Sequence, residues 1–387
     1  MTGKRKMKVL VIASVASMHD NFNRENINIL LDMGCDVTVA ANFHTEEDIN
    51  SQEKIDGFVK EMRARGVHIV QVDFTRKTGN IRQQTKSAGQ VGKLLEQRFD
   101  IVHCHSPICA ALTRANYRRY RKEYGGKLVY TAHGFHFYKG APLKNWLLYY
   151  PAEWLCSWWT DVLITINKED YRRAKRRFHA KKTVYVPGVG VDTEKFKPDA
   201  AGRERKRAEL GLKETDIMLL SVGELNQNKN HAEVIRALAA LNSKSIHYFI
   251  AGQGGLKLEL LKLVDSLKVP GQVHLLGYRT DVPELMQAAD IFALPSIREG
   301  LNVSLMEAMA SSLPCIVSRI RGNTDLVTDE ECLAVAENTG EWKQVIESVI
   351  VSIKNGRKPY GEENRRRIKK YGISRVDKRM KQIYESI

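Results

Sequence analysis

No stretch of this chain approaches the ~20 consecutive apolar residues that a membrane-spanning helix needs, so no span is expected. The basic start, Met1 to Lys8, leads into a short apolar run, Val9 to Ala13, followed by polar residues. That run reads as a strand, neither a secretion signal nor an anchor. Cysteine is scarce and scattered, at Cys35, Cys104, Cys109, Cys156, Cys315 and Cys332. None of the spacings is a paired one, which suits reduced thiols in a cytoplasm rather than a disulfide framework. His103, Cys104 and His105 with Cys109 come nearest to a metal-binding set, but no second ligand pair completes it. They read as polar groups closing a buried strand, and neither metal nor cofactor is expected. Internal repeats and low-complexity segments are absent too. Acidic residues are short: 45 Asp and Glu face 61 Lys and Arg, a net charge of +16. A basic surplus attracts any polyanion, nucleic acid or anionic lipid alike. The basic runs contain no recognisable nucleic-acid-binding motif, so nucleic acid is not the expected partner.

At 387 residues the chain exceeds one ordinary core, and two domains are expected. Apolar runs alternate with helical patterns nearly throughout, the signature of parallel α/β architecture. Strands are expected at 8–13, 36–40, 68–71, 101–104, 127–131, 162–166 and 183–186, with helices such as 24–33 and 81–97 between them. A glycine- and proline-rich break over 187–198 reads as a hinge. The alternation then restarts with strands at 217–222, 246–251, 273–276, 291–294, 315–318 and 333–335. The expectation is two Rossmann-like, doubly wound parallel sheets facing a cleft, with ligands at the C-terminal strand ends. The boundaries read as 1–187 and 188–373, with a last helix over 374–387.

The most informative stretch runs from Pro295 to Pro314. A strand delivers a polar loop containing Glu299, and the loop opens a helix containing Glu307, eight residues on. Gly300 and Ser304 let backbone N–H groups approach a ligand closely, and a helix N-terminus attracts anions. A site gripping a diphosphate there, over Leu301, Asn302 and Val303, has one carboxylate for sugar hydroxyls and one for ribose hydroxyls. Two acids at this spacing also occur on ordinary surface helices; the 20-residue context is what makes the pair informative. Other strand-end loops add candidates. Between Ser221 and His231, Gly223 permits a sharp turn and Lys229 sits where a cation meets phosphate oxygens, with Glu224 and Asn226 between them. The glycine turn 251–255, with Gly252 and Gly254, also follows a strand and opens a helix, a weak signal alone. Arg279 and Asp281 form either a ligand contact or a local ion pair or helix cap. In the first half, His133 and His136 follow a strand, and Ser17 and His19 lie in an opening loop, 14–19, after the first strand.

These motifs, Glu299-x7-Glu307 above all, closely resemble the signature of the family 4 retaining glycosyltransferases. The stretches 101–107, 130–146 and 164–170 resemble the bacterial exopolysaccharide and capsule enzymes of that family. The resemblance runs over nearly the whole chain and implies the GT-B fold, with an N-terminal acceptor domain, a C-terminal nucleotide-sugar domain and a last helix crossing back. It further implies a UDP-sugar donor and a polyprenyl-diphosphate-linked saccharide acceptor at the cytoplasmic membrane face, and no metal. His133 aligns with the family's active-site histidine, Lys229 with its phosphate-binding lysine, and Tyr278 and Arg279 with loops flanking the base. Glu224 stands where the family has arginine, which leaves Lys229 as the stronger candidate for the phosphates. The resemblance gives Glu299 the positioning of sugar hydroxyls and Glu307 the ribose. A nucleotide-sugar epimerase of the same architecture is the alternative, and a nucleic-acid-binding protein a more distant one.

One further segment stands out. Residues 143–159 hold four of the five tryptophans and lie between basic runs at 114–122 and 172–182. Two readings stay open: a helix packed in the domain core, or a membrane-interface surface, since Trp and Tyr favour such interfaces.

Overall fold

The computed structural model describes residues 5–75, 79–356 and 360–387. The chain divides into two compact units, residues 1–189 with 376–387, and residues 190–375.

The first unit is built on strands β1 (Lys8–Val15), β2 (Asp36–Asn42), β3 (His68–Gln71), β4 (Ile101–His105), β5 (Lys127–Ala132), β6 (Val162–Thr165) and β7 (Lys182–Tyr185). They form one parallel sheet in the order β3-β2-β1-β4-β5-β6-β7. Both faces of the sheet are covered, so the central strands are apolar without alternation. Successive side chains still point to opposite faces. Val9 and Val11 enter one core layer with Val37 and Val39, whereas Leu10 and Ile12 enter the other with Val102 and Cys104. The last helix, Ile373–Glu385, closes the first of these layers with Val376, Met380, Ile383 and Tyr384. Their helical spacing places all four on one stripe.

The second unit contains β8 (Ile217–Val222), β9 (Ile246–Ala251), β10 (Val273–Gly277), β11 (Ile291–Leu294), β12 (Cys315–Ser318) and β13 (Leu333–Ala334). Its parallel sheet runs β10-β9-β8-β11-β12-β13. Entry and exit of the chain are tied together inside this unit: Ile373 N donates to Val191 O at 3.1 Å. Gly190 sits beneath that crossing at φ +79°, where a Cβ would fall 2.8 Å from the Ile373 Cα. The strands expected from the sequence all form, with ends shifted by up to two residues. The two helices expected at 24–33 and 81–97 form as Arg24–Asp32 and Ile81–Leu95.

Candidate active site

In the second unit the strand order reverses between β8 and β11, and a crevice opens beyond the strand ends at such a point. The loops leaving these two strands meet there. Lys229 Nζ donates to Glu299 Oε1 at 2.7 Å, with 17% and 12% of the side chains exposed. The loops are zipped by Ile297 N donating to Asn228 O at 2.8 Å and Asn228 Nδ2 donating to Arg298 O at 3.0 Å. Asn230, at φ +51°, turns the chain from Lys229 into the helix His231–Leu241. The structure thus joins two residues chosen from motifs 70 positions apart.

Several other candidates are occupied by the loop scaffold itself. A Cβ on Gly252 would lie 1.8 Å from Gly223 O, and one on Gly254 would lie 2.5 Å from Leu225 O. Gly223 N donates to Ala251 O, Leu225 N to Gln253 O and Gly252 N to Gly277 O, lacing the loops after β8, β9 and β10. Gly252 and Gly254, expected at the ligand, are glycines because one backbone crosses another. Gly223 makes room for the Lys229 stem, whose Cε is 3.2 Å from where its Cβ would be. Asn226 Oδ1 accepts from Lys229 N at 3.0 Å and so shapes the turn. Glu224 is exposed, an acid at the rim where the resemblance expects a base. Arg279 bonds both oxygens of Asp281 at 2.7 and 2.5 Å, and Lys206 joins the same carboxylate at 2.8 Å. The local ion pair is therefore formed, while Asp281 makes no side-chain cap to its helix. Tyr278 beside it is 65% exposed.

The helix Val303–Ala310 is capped by Asn302, whose side chain accepts from Leu305 N at 2.9 Å and is buried. Leu301 is buried as well. Those two side chains belong to the helix start and the core. The early N–H groups, at Val303 and Ser304, lack an intrahelical acceptor and are the ones free for an anion. Gly300 O lies 2.3 Å from where a Cβ on Gly322 would be, so the loop is pressed onto a neighbouring turn. Glu307 follows Val303 by four residues and shares its helix face. Burial pushes its carboxyl up to about 7, against a smaller opposing pull from Lys195.

In the first unit the strand order reverses between β1 and β4. The loop expected at 14–19 does not exist there: β1 continues to Val15 and a helix starts at Ala16. Ser17 is buried, its N–H on Asp48 Oδ2 at 3.0 Å. His19 is fully buried with Nε2 on Ala40 O at 3.0 Å. It shares the strand ends with three further histidines. His133, half-buried, places Nε2 3.1 Å from His105 Nδ1. His103 Nδ1 lies 2.7 Å from the Tyr384 hydroxyl and its Nε2 2.8 Å from Thr131 Oγ1. Burial lowers His19 to about 4, His103 to about 3 and His133 to about 4, so all three rings are neutral at pH 7. His103 and His105 carry no ligand role in the sequence reading. The available signal is their i, i+2 spacing, which puts both rings on one face of β4. His136 stacks on Tyr149, centroids 4.4 Å apart.

The tryptophan-rich segment forms the helix Leu143–Ser157, divided between core and solvent. Trp146, Tyr149 and Tyr150 pack on the core, while Leu143, Leu147, Leu148, Trp154, Leu155 and Trp158 are 39–73% exposed. One member of the basic runs is not on the surface. Arg114 is buried, donating to Glu153 at 2.7 Å and lying over the Tyr130 ring, whose hydroxyl donates to Glu153 at 2.8 Å. Among the described residues no helix is long and apolar enough to cross a membrane.

Two family models match the chain, Glycosyltransferase Family 4 over residues 21–195 and Glycosyl transferases group 1 over 202–375. EpsD of Bacillus subtilis (strain 168), named as a glycosyltransferase, is 38% identical over 77% of this chain and 79% of its own. An Escherichia coli protein named UDP-Gal:alpha-D-GlcNAc-diphosphoundecaprenol alpha-1,3-galactosyltransferase is 33% identical over 63% of this chain and 64% of its own. In fold, the chain matches the structure of Anabaena Alr3699/HepE in complex with UDP and glucose, with TM-score 0.78 and 16% identity. That match covers 98% of this chain and all of the other. With both halves matched and the two parallel sheets in place, the chain belongs to the family 4 glycosyltransferases, sugar-transferring enzymes of the GT-B fold.

Proposed function

We propose that this enzyme transfers a sugar, with retention of configuration, from a UDP-sugar to a polyprenyl-diphosphate-linked saccharide in exopolysaccharide or capsule biosynthesis. The Lys229–Glu299 pair at the β8/β11 strand ends carries this reading. A cation beside open helix N–H groups stabilises charge developing on a departing diphosphate, and an adjacent carboxylate accepts sugar hydroxyls. In this reading UDP displaces Glu299 from Lys229, releasing it for the sugar. The leaving phosphate takes the acceptor proton on the same face of the sugar, and His133 hydrogen-bonds the donor. The E. coli relative's name supplies the donor and acceptor classes. The test is radiolabel transfer from a panel of UDP-sugars to undecaprenyl-diphosphate-linked sugars. Donor turnover that requires no acceptor supports an epimerase instead.

Glu307 is assigned the ribose hydroxyls. Its raised pKa implies a cost of holding the carboxylate buried in the free enzyme. The folded pKa lies above the unfolded one, so stability is intact below about 4.5 and falls as pH rises through about 7. Glu307→Gln should therefore stabilise the free protein by ~1–3 kcal/mol at pH 8 and by little at pH 4.5. The same substitution should weaken UDP binding at pH 8 by ~1–3 kcal/mol, because a charged acceptor is lost. Thermal melts at the two pH values with UDP titrations check both; unchanged UDP affinity removes the ribose assignment.

A lipid-linked acceptor supports a position at the inner face of the plasma membrane, with the enzyme held by the exposed face of helix Leu143–Ser157. Around it Arg118, Arg119, Lys122, Arg172, Lys175, Arg176 and Arg177 are exposed. Basic residues contribute ~1 kcal/mol each near an anionic bilayer and are screened by salt, whereas inserted aromatics are not. The protein should sediment with anionic vesicles at low salt and dissociate only in part at high salt. Arg172→Gln, Arg176→Gln and Arg177→Gln together should weaken sedimentation and leave UDP binding intact. Arg173 is kept, since it stacks over Trp146 and bonds Glu169 at 2.7 Å. No sedimentation at any salt concentration would refute the surface.

A further inference from the structure

We infer that His105 is a positioning residue that fixes the tautomer of His133, so that neutral His133 presents its Nδ1–H as a hydrogen-bond donor to a ligand oxygen. Two arrangements can fill the 3.1 Å contact between His105 Nδ1 and His133 Nε2. Either His105 donates from Nδ1, which leaves its Nε2 a bare lone pair and puts the His133 proton on Nδ1. Or His133 donates from Nε2, which forces the His105 proton onto Nε2. His105 is fully buried, and its Nε2 has no protein partner. The second arrangement therefore strands an N–H donor inside the protein, and orphaned buried N–H groups are the rarer defect in folded proteins. The first strands only an acceptor.

His103 does not compete for this role. Both its nitrogens are engaged, by Tyr384 and Thr131, and its ring lies against His105 with centroids 4.2 Å apart. His105 is thus walled in. The backbone beside it is constrained as well: Ser106, the next residue, holds φ +66°, a region that costs a non-glycine residue energy and persists only where the surroundings impose it. Burial keeps both His105 and His133 neutral, so the shared contact carries a single proton. The ligand-facing consequence rests on the assignment of His133 to the donor above; the tautomer itself does not.

The test is long-range proton–nitrogen NMR on full-length protein labelled only in histidine nitrogen, in the absence of substrate, with His133→Gln identifying the His133 signals. His133 should show a protonated Nδ1 and an unprotonated Nε2 at pH 7. His105→Asn leaves an amide N–H near the Nδ1 position and should preserve that pattern, with kcat within about threefold of wild type. His105→Phe fills the space without a donor; the His133 proton should move to Nε2 and kcat should fall at least tenfold, with a smaller change in donor KM. A His133 protonated on Nε2 in the wild-type protein overturns the inference, whatever the variants do. So does a His105→Phe protein in which His133 keeps its Nδ1 proton. A tautomer that switches as expected while kcat stays level upholds the positioning by His105 and removes the catalytic role of His133.

Discussion

Lys229→Ala is expected to weaken UDP binding ~10- to 100-fold, the loss of a charge-assisted contact worth ~1.5–3 kcal/mol, while binding of uridine changes little. In the proposed reading only the diphosphate meets this cation. The loss in kcat/KM should be larger, on the order of 10²–10⁴, because charge on the leaving group is greatest in the transition state. Glu299→Ala should behave in the opposite way. Its pairing with Lys229 at 2.7 Å is an interaction of the free enzyme that UDP, as proposed, displaces. Removing the carboxylate frees the lysine, so UDP affinity should hold or rise, while kcat falls ~10²-fold or more for want of sugar positioning. Isothermal titration with UDP and uridine, beside initial rates with the active donor, separates these outcomes. Equal losses of UDP and uridine affinity in the Lys229 variant would remove the phosphate assignment, and a Glu299 variant with normal kcat would remove the positioning role.

Glu153→Ala is expected to produce the largest stability loss, ~3–5 kcal/mol, because it leaves the Arg114 guanidinium buried without its counter-charge. The triad Arg114–Glu153–Tyr130 joins the helix Pro107–Tyr124, strand β5 and the tryptophan-rich helix. Losing it loosens the element that presents the exposed aromatic face. In calorimetry the transition of the first unit should fall by roughly 6–20 °C, at ~2–4 °C per kcal/mol for a unit of this size. UDP should still protect the second unit. The paired replacement Arg114→Met with Glu153→Leu removes both charges together and should recover most of the loss. An Ala variant with unchanged melting would mean that the pair contributes no net stability.

Much of this architecture is legible in the sequence because it depends on local rules. Strands buried on both faces must be short apolar runs, so β1 or β8 stands out from the polar loops beside it. Glycine- and proline-rich segments must interrupt them, hence the break after Val186. The Glu299-x7-Glu307 spacing is legible because loop and helix are contiguous in the chain. What the sequence does not reveal is how separate loops use their residues. Gly252 and Gly254 look like ligand-approach glycines, yet the contact that requires them is the backbone of a loop nearly 30 residues earlier. Asn302 looks like a ligand residue and is a helix cap. Ser17 and His19 look like a loop because polar residues follow β1, but tertiary burial of the next helix draws both side chains inward.

By itself, then, the sequence determined the alternation of elements, the two sheets and the residues able to carry charge, which follow from composition and periodicity along the chain, and pointed to the family through the resemblance of its motifs. Only the tertiary structure decided that Lys229 meets Glu299, that Arg114 leaves the basic surface for a buried carboxylate, and that His105 stands behind His133. Those facts depend on long-range closeness and on burial, which sets the cost of an unpaired charge or an orphaned N–H, and neither quantity is defined until the strands have packed side by side.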